Sequence, residues 1–96
     1  MEKIINAGIQ VVPINVIDPT YSIVDKAIEV IQQSGLEYIV TPFETVVNGT
    51  MQQILRLIAQ LKTTAEDAGA DELIINTRFH SKKTADNIFS TKIDKY

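Results

Sequence analysis

The spacing of hydrophobic residues changes several times along this chain, and each change predicts the border of a structural element. From Ile4 to Ile14 β-branched residues are dense, which predicts a first strand with Pro13 at its end or at an edge position. Asp18-Pro19-Thr20 then carries helix-start chemistry, and Ser34-Gly35 is a typical helix end. Between these signals, hydrophobic residues return at helical spacing, at Ile23, Val24, Ala27, Ile28, Val30 and Ile31.

Two short strands follow, at Leu36 to Thr41 and at Thr45 to Asn48, with a bend at Pro42-Phe43-Glu44 between them. Thr50 and Gln53 fit a capping box at the start of a long helix that Gly69 ends. The hydrophobic face predicted for this helix consists of Met51, Ile54, Leu55, Ile58, Leu61, Ala65 and Ala68.

Leu73 to Phe79 is the predicted fourth strand, and Thr84 to Lys95 the predicted short C-terminal helix. The order β-α-β-β-α-β contains two interleaved right-handed βαβ crossovers. It predicts an α+β fold, a ferredoxin-like βαββαβ sandwich in which both long helices lie on one face of a four-stranded antiparallel sheet. We expect the whole chain, residues 1–96, to form this single domain.

Alternation along the strands predicts two different sheet faces. The face expected to meet the helices is almost wholly apolar. The other is mixed, because it combines branched aliphatic residues with Asn, Gln, Thr and Arg side chains. Such a face favours stacking or edge pairing of two copies, so we expect a symmetric oligomer over the alternative of an ordinary solvated face.

Composition and charge narrow the function. The chain has 96 residues, no cysteine and a net charge of −3 with both signs scattered, so neither disulfides, thiolate metal sites nor a basic nucleic-acid footprint is expected. No apolar run approaches the length of a membrane span and the N-terminus has no signal-peptide pattern, which indicates a cytoplasmic protein without membrane partners. The single histidine, His80, lacks acidic or cysteine neighbours at metal-ligand spacing.

The segment from Tyr38 to Thr50 brings hydroxyl, carboxylate, amide and aromatic side chains to one strand edge. It predicts a small-molecule pocket without catalytic machinery, since no nucleophile elbow or phosphate-cradling glycine loop accompanies it.

The same segment, with its flanks, resembles the small thiamine-binding proteins of the ferredoxin-like class. The resemblance covers about residues 5 to 80. The residues that carry it are Val11-Val12-Pro13-Ile14, Ser34-Gly35-Leu36-Glu37-Tyr38, Thr41-Pro42-Phe43-Glu44-Thr45-Val46-Val47-Asn48-Gly49 and Ala68-Gly69-Ala70.

The resemblance implies a βαββαβ subunit of a homodimer or homotetramer. It also implies non-enzymatic binding of thiamine or a related aminopyrimidine at the sheet or subunit interface, for carriage, buffering or salvage, with no cofactor beyond that ligand. The binding residues that it implies are Gln10, Thr41, Phe43, Glu44, Thr45, Asn48, Asn76 and Arg78. Family members often carry Glu where this chain has Asn48, so either Glu44 compensates for the lost charge or the ligand differs.

The chemistry of these residue types suits such a ligand. Amide and hydroxyl groups can satisfy the donors and acceptors of an aminopyrimidine, Phe43 can stack on a ring, and Glu44 can balance a thiazolium cation. Structural roles compete: Thr45 could cap the turn, and Asn48-Gly49 could be a turn pair. Asn76 and Arg78 could pair across the sheet with Glu37 or with a partner subunit.

Phosphorylated ligands are disfavoured by the sequence, because Arg78, Lys82 and Lys83 are the only cations expected near the pocket. Two other functions remain open. One is a ligand-sensing regulatory or assembly module, by fold analogy; the other is a small enzyme acting through Glu44.

Overall fold

The computed structural model describes residues 2–16 and 22–93, and all structural statements refer to these ranges. The elements within them are β1 (Ile5–Val16), α1 (Ser22–Gln33), β2 (Glu37–Val40), β3 (Thr45–Gly49), α2 (Met51–Asp67), β4 (Ala70–His80) and α3 (Phe89–Ile93). The predicted helix start at Asp18-Pro19-Thr20 lies outside the described residues.

The four strands form one antiparallel sheet in the order β2-β3-β1-β4, which confirms the predicted ferredoxin-like α+β fold. β1 pairs with β3 only from Ile5 to Ile9, whereas it pairs with β4 from Asn6 to Val16. Beyond Ile9, β1 therefore has a partner strand on one side only. Pro13, which has no N–H to donate, is accommodated in this half of the strand, so it occupies an edge position and does not end β1.

The core lies between α1, α2 and the face of the sheet that the alternation predicted. Ala7, Val47, Ile54 and Leu61 have no exposed surface. Around them pack Ile5, Ile9, Ala27, Ile31 and Leu57, with half-buried Tyr38 and Ile75 at the border. We call this the inner face of the sheet and the opposite one the outer face.

The two long helices end and begin as their sequences predict. Thr50 and Gln53 form both bonds of the capping box at the start of α2, at 2.9 and 3.2 Å. Gly35 and Gly69 adopt positive φ angles of 79° and 116° after α1 and α2, where residues with a side chain would be strained.

The predicted hydrophobic face of α2 was wrong at two positions, Met51 and Leu55, and Met51 is 39% exposed. Leu55 is 52% exposed, whereas Leu57, which the prediction omitted, is 2% exposed and belongs to the core. The buried positions are Ile54, Leu57, Leu61 and Ala65, because intervals of three and four residues keep one side of a helix facing the sheet.

The C-terminal helix begins later than predicted: among the described residues only Phe89–Ile93 is helical, and the predicted end at Lys95 lies outside them. Two of the residues before it bond to Ile4, which directly precedes β1. Asp86 Oδ1 accepts from the Ile4 N–H at 2.8 Å, and the Asn87 N–H donates to the Ile4 carbonyl at 2.8 Å. These bonds hold the segment before α3 against the start of β1 and carry α3 onto the outer face.

Of the helices described, none is long and apolar enough to span a bilayer.

Candidate functional site

A cavity of about 450 Å³ lies on the outer face, between α3 and the β2–β3 turn. Strand residues supply its floor, the turn supplies one wall and α3 the other. The side chains and backbone that line it belong to Asn6, Gly8, Ile39, Thr41, Glu44, Val46, Arg78, Phe79, His80, Phe89, Lys92 and Ile93. The register explains the floor, because Gly8 pairs with Val46 on one side and Arg78 on the other.

Gly8 leaves room for the carboxylate of Glu44 on this floor. A Cβ atom built on Gly8 would lie 2.5 Å from Glu44 Oε2, closer than any ordinary contact. The missing side chain of Gly8 therefore allows Glu44 to fold over the strand, where its side chain is only 23% exposed.

Arg78 holds the carboxylate in this place. Its Nη2 donates to Glu44 Oε1 at 2.6 Å, while the Arg78 side chain itself is 80% exposed. The hydrogen bond to Glu44, reinforced by the negative charge of that carboxylate, raises the pKa of Arg78 above its ordinary value. Arg78 is therefore a permanent cation, and the predicted alternative of a pair with Glu37 is wrong.

The turn that carries Glu44 is held by Thr41. Its hydroxyl donates to the Glu44 carbonyl at 2.6 Å and accepts from the N–H groups of Phe43 and Glu44 at 3.3 and 3.1 Å. This is the role that the sequence offered to Thr45. Thr41 thus lines the cavity and also fixes the position of Glu44.

A buried amide network lies beneath α3 at one end of the cavity. Asn6 Nδ2 donates to Asn48 Oδ1 and to the Asn87 carbonyl, both at 2.7 Å. Asn48 Oδ1 also accepts from the Phe89 N–H at 3.2 Å, and its Nδ2 donates to Glu37 Oε2 at 3.3 Å. Asn48 is therefore a strand residue that anchors α3, and the interpretation of Asn48-Gly49 as a turn pair is wrong.

One atom of this network has no partner. Asn6 Oδ1 is buried and accepts no hydrogen bond among the described residues. The amide orientation is fixed, because a flip would place Oδ1 against the two oxygens that now accept from Nδ2. A buried acceptor without a donor is unfavourable by about 1–3 kcal/mol, so this position favours a ligand or water that donates.

Two further predicted residues lie on the outer face but away from the cavity. Gln10 and Asn76 face each other across β1 and β4, and Asn76 Nδ2 donates to Gln10 Oε1 at 3.0 Å. Both side chains are exposed. Of the eight predicted binding residues, the structure brings Thr41, Glu44 and Arg78 together around one cavity and places Asn48 directly behind it.

Phe43 and Thr45 lie elsewhere. Phe43, at the bend, is 83% exposed and borders a separate groove of about 240 Å³ beside α1. Thr45 is 7% exposed, and it borders that same groove. It pairs with Ile9 and shares the alternation of Val47, so it faces the inner side of the sheet. This placement was available from the sequence by counting two residues back from Val47.

The sequence analysis missed several residues of the cavity. Asn6 could have been found as an amide inside an apolar strand, on the mixed face. Nothing in the sequence indicated that the Glu44 carboxylate lies over Gly8. Glu44 and its ion-pair partner Arg78 are 34 residues apart in sequence. Phe89 and Lys92 were hidden because the segment that precedes them was predicted as a helix.

A larger depression, of about 700 Å³, lies on the opposite side of the molecule along α1 and α2. Its lining mixes apolar residues with Gln, Ser and Thr side chains and has one charged residue, Arg56. The cavity on the outer face is the better candidate, because it combines apolar walls with a placed carboxylate and a buried acceptor that lacks a donor.

Comparison with known proteins gives consistent results. A protein of Clostridium perfringens designated UPF0045 is 28% identical over 91 residues, which are 95% of each chain. The structure of a domain of unknown function, DUF77, from Bacillus cereus superposes with a TM-score of 0.93 at 34% identity, over 99% of this chain and 91% of that one.

A candidate thiamine biosynthesis/salvage protein of Thermotoga maritima superposes with a TM-score of 0.82 at 26% identity, over 97% of this chain and 99% of that one. The family profile described as "Thiamine-binding protein" matches residues 7–96. The chain belongs to the thiamine-binding protein family.

Proposed function

We propose that this protein binds thiamine or a related aminopyrimidine in the outer-face cavity, without converting it, for carriage, buffering or salvage in the cytoplasm. The observation that carries the proposal is a cavity with apolar walls that is lined both by the placed carboxylate of Glu44 and by Asn6, whose buried Oδ1 has no partner among the described residues. Membership in the thiamine-binding protein family supports the choice of ligand.

The size of the cavity suits a ligand of this kind. Its volume of about 450 Å³ lies within the range of small-molecule sites, which is roughly 300–1,000 Å³. Ile39, Val46 and Phe89 supply apolar contact for a heteroaromatic ring. In this proposal Phe89 takes the place that the sequence gave to Phe43.

The polar groups match the donors and charge of the ligand. An aminopyrimidine carries an exocyclic amino group, which would supply the donor that Asn6 Oδ1 lacks. That oxygen is closed off from solvent, so we expect α3 to shift slightly when the ligand enters. Arg78 bonds to Oε1 of Glu44, so Glu44 would face the thiazolium with its other oxygen, Oε2, in place of the carboxylate that Asn48 does not provide.

Binding without conversion fits the position of Glu44. Its carboxylate is held by Arg78 and its backbone by Thr41, so it is placed to balance a charge and not to move toward a reacting atom. A carrier should therefore release the same molecule that it bound. Recovery of altered ligand after incubation would contradict this part of the proposal.

We also propose that a second copy covers part of the outer face. Ile74 is 47% exposed there, and Val12, its partner on β1, is only half-buried. Apolar side chains on an uncovered sheet face are typical of a symmetric contact between copies. Light scattering after gel filtration should show a dimer or tetramer that Ile74→Lys dissociates, and a monomer for the unaltered chain would reject the contact.

Isothermal titration with thiamine and with its hydroxymethyl-pyrimidine part tests the ligand. We expect saturable binding that Glu44→Gln weakens by about tenfold, since one charged contact contributes roughly 1.5–3 kcal/mol. Glu66→Gln is the matched control, because it also removes a carboxylate from an ion pair, the one with Lys62 on α2. Equal affinities for both variants would remove Glu44 from the site.

A further inference from the structure

A second charged group lies on the wall of the cavity opposite Glu44. Lys92, on α3, contacts Nδ1 of His80 through its Nζ atom, and both side chains are exposed and line the cavity. With Lys92 donating to Nδ1, the remaining ring nitrogen of His80 carries its hydrogen. The pair therefore offers hydrogen-bond donors and a positive charge at one place.

The charges around the cavity are opposite in sign to the charge of the protein. Among the described residues lining it, Arg78 and Glu44 cancel each other, which leaves Lys92 as an uncompensated cation. The chain as a whole carries a net charge of −3. A local positive charge on an acidic protein attracts anions to that place.

The positive and negative groups are separated along the cavity. Arg78 and His80 are two residues apart on the same face of β4, so about 6.5 Å separates their positions along the strand. Glu44 lies at the Arg78 end and Lys92 at the His80 end. The cavity therefore has an ion pair at one end and an uncompensated cation at the other, so an anionic group of a ligand is expected at the His80 end.

We propose that His80 and Lys92 form an anion site for a phosphate monoester, so that the preferred ligand is the phosphorylated form of the heteroaromatic cation. This inference deepens the proposed function and rests on it for the identity of the ring. It reverses the expectation from the sequence, which counted Lys82 and Lys83 as nearby cations. The structure places those two outside the cavity lining and brings Lys92 there instead.

The first experiment compares thiamine with thiamine monophosphate by isothermal titration. We expect the monophosphate to bind about tenfold more tightly, the effect of one charge-assisted contact. Lys92→Gln should remove this preference, so that thiamine and its monophosphate bind to the variant with equal affinity. Lys82→Gln, which makes the same change of net charge outside the cavity, should keep the preference.

The second experiment uses inorganic phosphate, so its result does not depend on the heteroaromatic ring of the ligand. His80 is the only histidine, so its imidazole gives a single set of NMR signals. Titration with inorganic phosphate should shift these signals in the unaltered protein and in Lys82→Gln, and much less in Lys92→Gln. Saturable binding of thiamine by Lys92→Gln, at whatever affinity, would show that the cavity of this variant is still formed.

The outcomes separate the two proposals. Equal affinity for thiamine and its monophosphate, with an unmoved His80 signal, would overturn the anion site and leave the proposed function standing. A His80 shift that depends on Lys92, without any thiamine binding, would support the anion site and reject thiamine as the ligand. No binding and no shift would overturn both.

Discussion

The outer face of the sheet carries the same kind of bond at two places with very different surroundings. At its covered end, beneath α3, Asn6 donates to Asn48 at 2.7 Å, and the two residues are 5% and 7% exposed. At its open end, Asn76 donates to Gln10 at 3.0 Å with both side chains in solvent. A hydrogen bond exposed to water is readily replaced, whereas a buried one leaves an unsatisfied group when it is lost. Burial beneath α3, and not the hydrogen bond alone, therefore decides how much each amide pair contributes to stability.

The largest expected change in the free energy of unfolding comes from α3, the helix that covers one end of the outer face. Phe89 on α3 lines the cavity and is 7% exposed. Phe89→Ala should therefore lower the free energy of unfolding by about 3 kcal/mol, within the range for buried Phe. Urea unfolding measures this. Phe43→Ala is the control at an 83% exposed position, with an expected change below about 0.5 kcal/mol. Similar losses for the two variants would show that α3 does not stabilise the covered end.

The amide pairs test the comparison directly. Asn6→Ala removes two donated hydrogen bonds and leaves the oxygens of Asn48 and Asn87 with fewer donors, so we expect a loss of about 2–3 kcal/mol. Gln10→Ala breaks the exposed pair and should change stability by less than about 0.5 kcal/mol. Hydrogen exchange should also accelerate at the Asn87 and Phe89 amides in Asn6→Ala alone. Comparable effects in both variants would mean that burial is not the deciding factor.

Between the two ends, Gly8→Ala should destabilise the protein by roughly 1–3 kcal/mol, the usual cost of overpacking. The added methyl group would meet the Glu44 carboxylate at 2.5 Å. Combining it with Glu44→Ala should recover most of the loss, since the two groups compete for one space. Additive effects in the double variant would contradict the close approach of Glu44 to the strand.

The smallest expected effect concerns pH. The hydrogen bond to Glu44 raises the pKa of Arg78. The stability that Arg78 gains from this pair is therefore fully present while Arg78 is charged, and it is lost only as pH rises through the raised pKa. From neutral to mildly alkaline pH, the stability of the unaltered protein and of Arg78→Gln should therefore differ by a constant amount. A step in that difference within this range would show that Arg78 loses its charge there.

Periodicity was sufficient for the inner half of the molecule. Strand alternation and the helical spacing of apolar residues predicted the sheet, both long helices and the inner face, because burial against one core imposes those periods. Leu55 was predicted to be buried and Leu57 was omitted, because both are apolar and only the position of the sheet decides which of them faces the core. The capping box at Thr50 was predictable since its bonds are local.

The outer face was less predictable, because its contacts join distant parts of the chain. Glu44 and Arg78 were both named from the sequence, but their pairing depends on the space above Gly8. The anchoring of α3 depends on Asn6, Asn48 and Asn87, whose meeting no local pattern indicates. Thr45 illustrates the converse, since strand parity alone would have placed it on the inner face.

β1 extends beyond the end of its pairing with β3, so the edge of β1 that faces away from β4 has no partner strand after Ile9. Unpaired edges of this kind invite the addition of foreign strands and the growth of aggregates. Pro13 opposes this, because an incoming strand would find no N–H at that position and a rigid ring in the way. A residue that is neutral for the fold of a single molecule thus protects a concentrated population of molecules from one another.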